Sequence, residues 1–349
     1  MRKIRINMLS NADKVHGQGV GSAYLEQVAL VKNELNEYFD VVINDSKPAD
    51  IIHCHTILPQ YLMKMKRNKG VNVAYVHFLP DTLDGSIQLP SSALAVFKKY
   101  ITHFYNTADY LIVVNPIFIK DLVRFGIDKH KIQYIPNFVS KETFYKQEQN
   151  HILQTRDQYH IDRKQFVVLG VGQVQTRKGV KDFIEVAKML PDITFVWAGG
   201  FSFGKITDGY EELKQLYENP PQNVHFIGII PRESMNDIYN MADMLFMPSY
   251  NELFPMSILE AINSQKPLLL RDLELYEDIL FHKYLVADNN KDFAQIIQNL
   301  KNDSSLYHQY QQASYEISQY YSKEHVKEMW KDFYLHIAQK KALISYQNL

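Results

Sequence analysis

"YNELFPMSILEAINSQKPLLLRD" occupies residues 250–272 and sets two carboxylates, Glu252 and Glu260, eight positions apart with only apolar residues and Ser257 between them. Pro255 suits the first position of a helix, where its missing N–H costs nothing and its φ is already helical. Ile258, Leu259 and Ile262 supply an apolar stripe, so a buried helix is expected from Pro255. The run "KPLLLRD" (266–272) then reads as a short buried strand. Glu252 falls in the loop before the helix and Glu260 about a turn and a half inside it. A helix start facing a cleft gathers unpaired N–H groups and the positive end of the dipole. Two carboxylates beside such an end suit the hydroxyl groups of a ligand, and with no charge near them they are expected to meet sugar hydroxyls across a cleft. The alternative is that Glu252 caps the helix electrostatically and Glu260 meets an Arg from elsewhere.

Outward from this stretch, short β-rich runs alternate with helical patterns. "KIRINML" (3–9), "FDVVIN" (39–44), "DIIHCHT" (50–56), "VNVAYVHF" (71–78), "YLIVVN" (110–115) and "KIQYIPN" (131–137) read as buried strands. Amphipathic stretches such as 22–37 and 91–107 lie between them. A polar segment, 140–165, interrupts the rhythm. It restarts with "FVVLGVG" (166–172), "ITFVWAGG" (193–200), "VHFIGII" (224–230), "MLFMPS" (244–249), the 266–272 run and "YLVAD" (284–288). The pattern predicts an α/β fold of two doubly wound domains in series, each a parallel sheet covered by helices on both faces. Ligands of such sheets bind at the carboxyl ends of the strands, which makes a cleft between the domains the default site.

A length of 349 residues is comfortable for two domains, and 46% hydrophobic with 22% charged residues excludes a disordered chain. The single Cys54 excludes an intramolecular disulfide and fits a reducing compartment. "MRKIRINMLS" has no apolar run of signal-peptide length, and no run of 18 apolar residues occurs, so a soluble or peripheral cytoplasmic protein is expected. The net charge of −1 hides an asymmetry, +5 over residues 1–146 against −6 beyond them. A basic first half suits an anionic surface.

After the first strand, "KVHGQGVGSAYLEQ" carries Gly17, Gly19 and Gly21, which would let the backbone approach a ligand, with Ser22 placed to begin the next helix. The spacing is not that of a dinucleotide-binding turn, which disfavours a nicotinamide enzyme. The second half opens with "VGQVQTRKGVKDF": Gly170 and Gly172 end a strand, and Arg177 and Lys178 follow before a helix near Gly179. Arg177 can grip phosphate oxygens bidentately and Lys178 can act as a point charge, an arrangement suited to a diphosphate; a solvated basic loop is the plainer reading. His77 ends a strand beside the expected cleft and is either a ligand contact or a satisfied core residue. His53 and His55 share one strand face with Cys54 on the other, so no zinc site is expected. No Asp-x-Asp motif suggests a divalent ion.

Two segments mix basic and apolar groups as an interfacial helix does. "YLMKMKRNKG" (61–70) concentrates Lys64, Lys66, Arg67 and Lys69 near Leu62 and Met65, and "SALAVFKKYITHFYNTADY" (92–110) sets Phe97, Ile101, Phe104 and Tyr105 beside Lys98 and Lys99. Each could equally be an ordinary helix on the outside of a sheet.

Together these pieces resemble the GT-B glycosyltransferases, in particular the large retaining family (glycosyltransferase family 4) with the E-x7-E signature, which falls here on Glu252 and Glu260. The family's G-x-x-x-x-R-K-G segment falls on Gly172 to Gly179 and its glycine loop on Gly17 to Gly21. The resemblance implies an N-terminal acceptor and membrane domain (1–145), a nucleotide-sugar domain (146–327), and a last helix (328–349) packing back on the first. It implies that Arg177 and Lys178 stabilise the leaving diphosphate, Glu260 binds the ribose, Glu252 binds the donor sugar, and His77 contacts the sugar or the acceptor. Gly19, Gly172, Phe254, Pro255 and Met256 complete the implied nucleotide-sugar site. No metal or other cofactor is expected. Where the family often has Gly after the first Glu, this chain has Leu253, which would narrow the space near the sugar. "NMLSNADKVHGQGVGSAYLEQV", "YVHFLPDTLDGSIQLP" and "YIPNFVS" look like the glycolipid synthases of Gram-positive bacteria. Those implied relatives add an α-hexose from UDP-glucose or UDP-galactose to monoglucosyl-diacylglycerol at the inner face of the cell membrane, an anionic surface, and none binds nucleic acid. The rival expectations are the same fold with a soluble glycan, teichoic acid or protein acceptor, and a non-catalytic GT-B partner subunit.

Overall fold

A computed structural model describes residues 2–11, 19–77, 79, 91–202, 204 and 207–347. Gly17, and residues 78 and 80–90 of the "YVHFLPDTLDGSIQLP" stretch, lie outside the described residues. Every expected strand is present, trimmed at its ends. β1 (Ile4–Leu9), β2 (Phe39–Ile43), β3 (Ile51–Cys54), β4 (Val71–Val76), β5 (Tyr110–Val113) and β6 (Ile132–Tyr134) form one sheet in the order β2-β1-β3-β4-β5-β6. β7 (Val167–Val171), β8 (Thr194–Ala198), β9 (Val224–Gly228), β10 (Met244–Met247), β11 (Leu268–Arg271) and β12 (Leu285–Ala287) form a second in the order β12-β11-β10-β7-β8-β9. All the ladders within the two sheets are parallel. β4, β8, β10 and β11 are buried along their whole length, which is why they read as unbroken apolar runs.

Strand order locates the site. In the second sheet the chain runs outward from β7 to β9 and returns to the other side of β7 with β10. The loops leaving β7 and β10 therefore open at a topological switch point, where such sheets bind ligands. Those are the loops carrying Arg177, Lys178 and Glu252. The carboxyl ends of the two sheets meet: Asn115, just after β5, donates from Nδ2 to the carbonyl of Leu275 at 2.7 Å and of Leu253 at 3.4 Å.

The chain recrosses through the helix Lys323–Gln347, whose Trp330 and Tyr334 are fully buried against the first sheet. Gln27 donates to the Tyr334 hydroxyl at 3.0 Å, and that hydroxyl lies 2.6 Å from His53 Nδ1. The polar 140–165 segment is a helix, Gln149–Gln158, pinned where Arg156 donates to Met241 O at 2.8 Å and pairs with Asp243 at 2.9 Å. Among the described residues no helix is long and apolar enough to cross a membrane.

Candidate active site

The helix after Glu252 runs Met256–Asn263, with Pro255 as its N-cap at φ −70° and ψ 134° rather than as its first helical residue. Glu252 and Glu260 are both buried, 6% exposed each, but they are not uncharged neighbourhoods as expected. Lys178 donates from Nζ to Glu252 Oε1, and Arg177 stands 3.4 Å from Oε2. Arg232 donates to Glu260 Oε1 at 2.6 Å and Tyr239 donates to Oε2 at 2.7 Å. An Arg from elsewhere is the alternative expected for Glu260, and Arg232 is that residue; the remaining partners went unread because they come from the loop after β7 and from the helix Met235–Met241, not from the helix of Glu260. Each Glu260 oxygen still has a lone pair free for a further donor.

The β7 loop and the β10 loop brace one another. Arg177 donates to Asn251 O at 2.6 Å, and Tyr250 N donates to Arg177 O at 2.8 Å. Gly172 leaves room for the Lys178 stem, since a Cβ there would lie 3.3 Å from it. Burial works to raise the Glu252 carboxyl, yet Lys178 and Arg177 outweigh it and hold it below the ordinary carboxylate value. Glu252 is therefore an anion clamped by two cations. Arg177 Nε is buried with no partner among the described residues, so a ligand oxygen could satisfy it.

The other expected residues divide. His77 follows β4 directly; burial pushes its imidazole down to about 3, so it is neutral at physiological pH, and its Nε2 has no partner among the described residues. It stacks on Tyr75 with ring centroids 4.3 Å apart. Gly19 and Gly21 lie in the first turn of the helix Gly19–Ala29, which starts three residues before Ser22, and Gly21 is buried. Phe254 and Met256 are buried at 4% exposure, and the Phe254 ring packs on Tyr321 at 5.0 Å, where the chain recrosses between domains. Their side chains pack into the apolar core beside the loop. Leu253 is partly buried in the same apolar contact and ties to the first domain through Asn115.

His53 and His55, the latter just past the end of β3, lie on one side with tilted rings 4.4 Å apart, and Cys54 is in the apolar cluster on the opposite face. Among the described residues no group of three or more His, Cys, Asp or Glu could hold a metal. The two basic segments also need revision. Ile101, Phe104 and Tyr105 are buried against the sheet, because the helix Ser91–Thr107 covers it with that face. Lys64 is half-buried and donates to Asp45 O at 3.1 Å. What stays exposed is Lys66, Arg67, Lys69 and Lys99, together with Val96 at 69%, while Lys98 is half-buried. An open depression of about 560 Å³ beside them is lined by Ser92, Ala93, Val96, Phe97 and Tyr100.

Residues 152–317 match the family model for glycosyl transferases group 1, and residues 32–143 match that for glycosyltransferase family 4. The chain is 45% identical, over 95% of its length and 90% of the relative's, to the alpha-galactosylglucosyldiacylglycerol synthase of Streptococcus pneumoniae. It is 29% identical, over 81% of its length and 83% of the relative's, to the processive diacylglycerol alpha-glucosyltransferase of Acholeplasma laidlawii. Its fold is that of the Anabaena HepE protein solved with UDP and glucose, with a TM-score of 0.75 at 16% identity, covering 95% of this chain and 99% of that one.

Proposed function

The chain belongs to the group 1, family 4 glycosyltransferases, and on that premise we propose that it moves an α-linked hexose from UDP-glucose or UDP-galactose to monoglucosyl-diacylglycerol. The observation that carries the donor half is the buried cluster of Glu252, Arg177 and Lys178 at the switch point of the second sheet. Arg177 and Lys178 stand where a diphosphate would be received: as the bond from the anomeric carbon to the diphosphate breaks, negative charge grows on the leaving oxygens, and the two cations stabilise it. The new bond forms from the acceptor hydroxyl on the same face, and its proton passes to the departing diphosphate. Glu252, ionised and held by two cations, binds sugar hydroxyls and is a poor nucleophile, which favours this route over a covalent carboxylate intermediate. Glu260 takes the ribose hydroxyls. Neutral His77 can accept from, or donate to, a hydroxyl of sugar or acceptor. With the leaving charge met by side chains, no metal is required in this reading.

The acceptor half is supported by the 45% identical synthase and by the exposed face of the helix Ser91–Thr107. We place that face on the inner surface of the cell membrane, with Val96 and the neighbouring depression against lipid and Lys66, Arg67 and Lys99 on anionic headgroups. Each basic residue near such a surface contributes about 1 kcal/mol. Replacing Lys66, Arg67 and Lys99 together by Gln is expected to weaken co-sedimentation with anionic vesicles on the order of a hundredfold. The same loss should appear for the parent at high salt, and neutral vesicles should show no difference. Retained binding would remove these residues from the membrane contact.

The direct test supplies each UDP-sugar with monoglucosyl-diacylglycerol in anionic vesicles and weighs the lipid. A lipid heavier by one hexose with one donor establishes donor and acceptor together. UDP-sugar binding without a lipid product would end the lipid reading and leave a soluble acceptor.

A further inference from the structure

One contact between the domains runs through the donor site itself. Arg232, just after β9, places one guanidinium nitrogen 2.6 Å from Glu260 and another 2.6 Å from Glu26, which lies on the helix Gly19–Ala29 of the first domain. The guanidinium rests over the Phe144 ring at 5.1 Å, and Phe144 packs edge-on against Tyr239, the second partner of Glu260. The two carboxylates are 13% and 8% exposed and Arg232 26%, so the group is largely withdrawn from water. Among the described residues the two carboxylates share one cation. The shortfall of positive charge leaves Glu260 a strong acceptor for hydroxyl protons, and the fork fixes the direction in which its free lone pairs point. Burial raises the Glu26 carboxyl against the opposing pull of Arg232, as befits the under-neutralised member of the trio.

We propose that Glu26 is a positioning residue of the donor site supplied by the opposite domain: through Arg232 it orients Glu260 for the ribose diol, so that donor binding and the contact between the domains strengthen one another. The inference rests on Glu260 as the ribose acceptor. Linkage makes it reciprocal: whatever affinity the Glu26–Arg232 contact adds to the donor, the donor adds to that contact. A local structural role would instead change stability and leave the response to ligand intact.

The test titrates UDP into the parent, Glu26→Gln, Arg232→Lys, the double variant and Glu260→Gln, and follows the distance between a label on each domain. Glu26→Gln keeps the size and packing of the side chain, and Arg232→Lys keeps the charge beside Glu260 but removes the fork. Each single variant is expected to weaken UDP binding by about five- to tenfold, the lower end of the usual range of such couplings, and to raise the donor KM with kcat little changed. The double variant should bind no more weakly than Arg232→Lys alone, because both changes break one contact. UDP should narrow the distance distribution in the parent and not in Glu26→Gln. Parental UDP affinity in Glu26→Gln, with Glu260→Gln impaired, overturns the link while leaving the ribose assignment standing. Parental affinity in Glu260→Gln overturns both.

Discussion

Glu252→Gln should tighten UDP binding by about tenfold while hexose transfer falls by about 10²- to 10³-fold. Without ligand, the Glu252 carboxylate occupies the two cations that a diphosphate needs, Lys178 through Nζ and Arg177 at 3.4 Å. UDP must draw those cations away from a buried anion, a competition that Gln abolishes at nearly constant volume. UDP carries no hexose, so it loses nothing when the sugar-binding carboxylate is neutralised. The full donor does lose it, and with it the charge-assisted hydrogen bonds that hold the sugar for transfer. Stability should report the same balance from the other side. Removing one member of a buried ion cluster leaves uncompensated charge, here two cations, at a cost of about 3–5 kcal/mol. UDP restores the missing anions, so the rise in melting temperature on adding UDP should be larger for Glu252→Gln than for the parent. Calorimetric titration with UDP, thermal melts with and without it, and a transfer assay measure the three effects. Unchanged or weaker UDP binding would show that Glu252 helps to form the diphosphate site and does not compete for it.

That prediction depends on a feature the sequence concealed. The strands were legible because a sheet covered on both faces needs residues apolar on both faces, and "FVVLGVG" or "MLFMPS" can hardly be read otherwise. The site motifs were legible as spacing: Gly172 to Gly179 and Glu252 to Glu260 fall on loops that the strand order brings to one switch point. Of their partners, an arginine for Glu260 was among the alternatives, but not which one, and the cations of Glu252 were not foreseen. Arg177 and Lys178 are separated from Glu252 by 75 and 74 positions, and Glu26 from Arg232 by 206. Periodicity describes which face of an element is buried; it does not say which distant cation the next loop delivers. Arg232 sits in "PRESM", and the approach of the Gly19–Ala29 helix gives it a second carboxylate, Glu26, beside Glu260. Phe254 packs its ring on Tyr321 where the chain recrosses, a contact that the motif around Glu252 does not announce.

Gly179→Ala should cost more than any other single methyl group added in the donor loop, about 3 kcal/mol or more of stability together with most of the UDP affinity. Gly179 has φ +68°, and a Cβ built on it lies 2.2 Å from the Pro248 carbonyl oxygen and 2.8 Å from its carbonyl carbon. The neighbour is backbone, so no side chain can rotate aside; the β7 loop and the β10 loop must part. Those loops carry Lys178 and Glu252, and the Tyr250–Arg177 backbone bond of 2.8 Å spans the same gap. Parting them by even an ångström separates the diphosphate cations from the residues that aim them. Gly126→Ala is the control, since Gly126 also has positive φ, +84°, but a Cβ there meets nothing within 4 Å. It should cost only the conformational strain, about 1 kcal/mol, and leave UDP binding alone. The two variants therefore separate backbone strain from loop separation: equal losses of stability would mean that strain alone matters at Gly179, whereas a larger loss with UDP affinity falling in parallel ties the fit of Gly179 against Pro248 to donor binding. Calorimetric titration and thermal melts of both variants decide it. The result bears on the whole site, because the close approach of these two loops is what turns a pair of motifs 75 residues apart into one cluster of opposite charges.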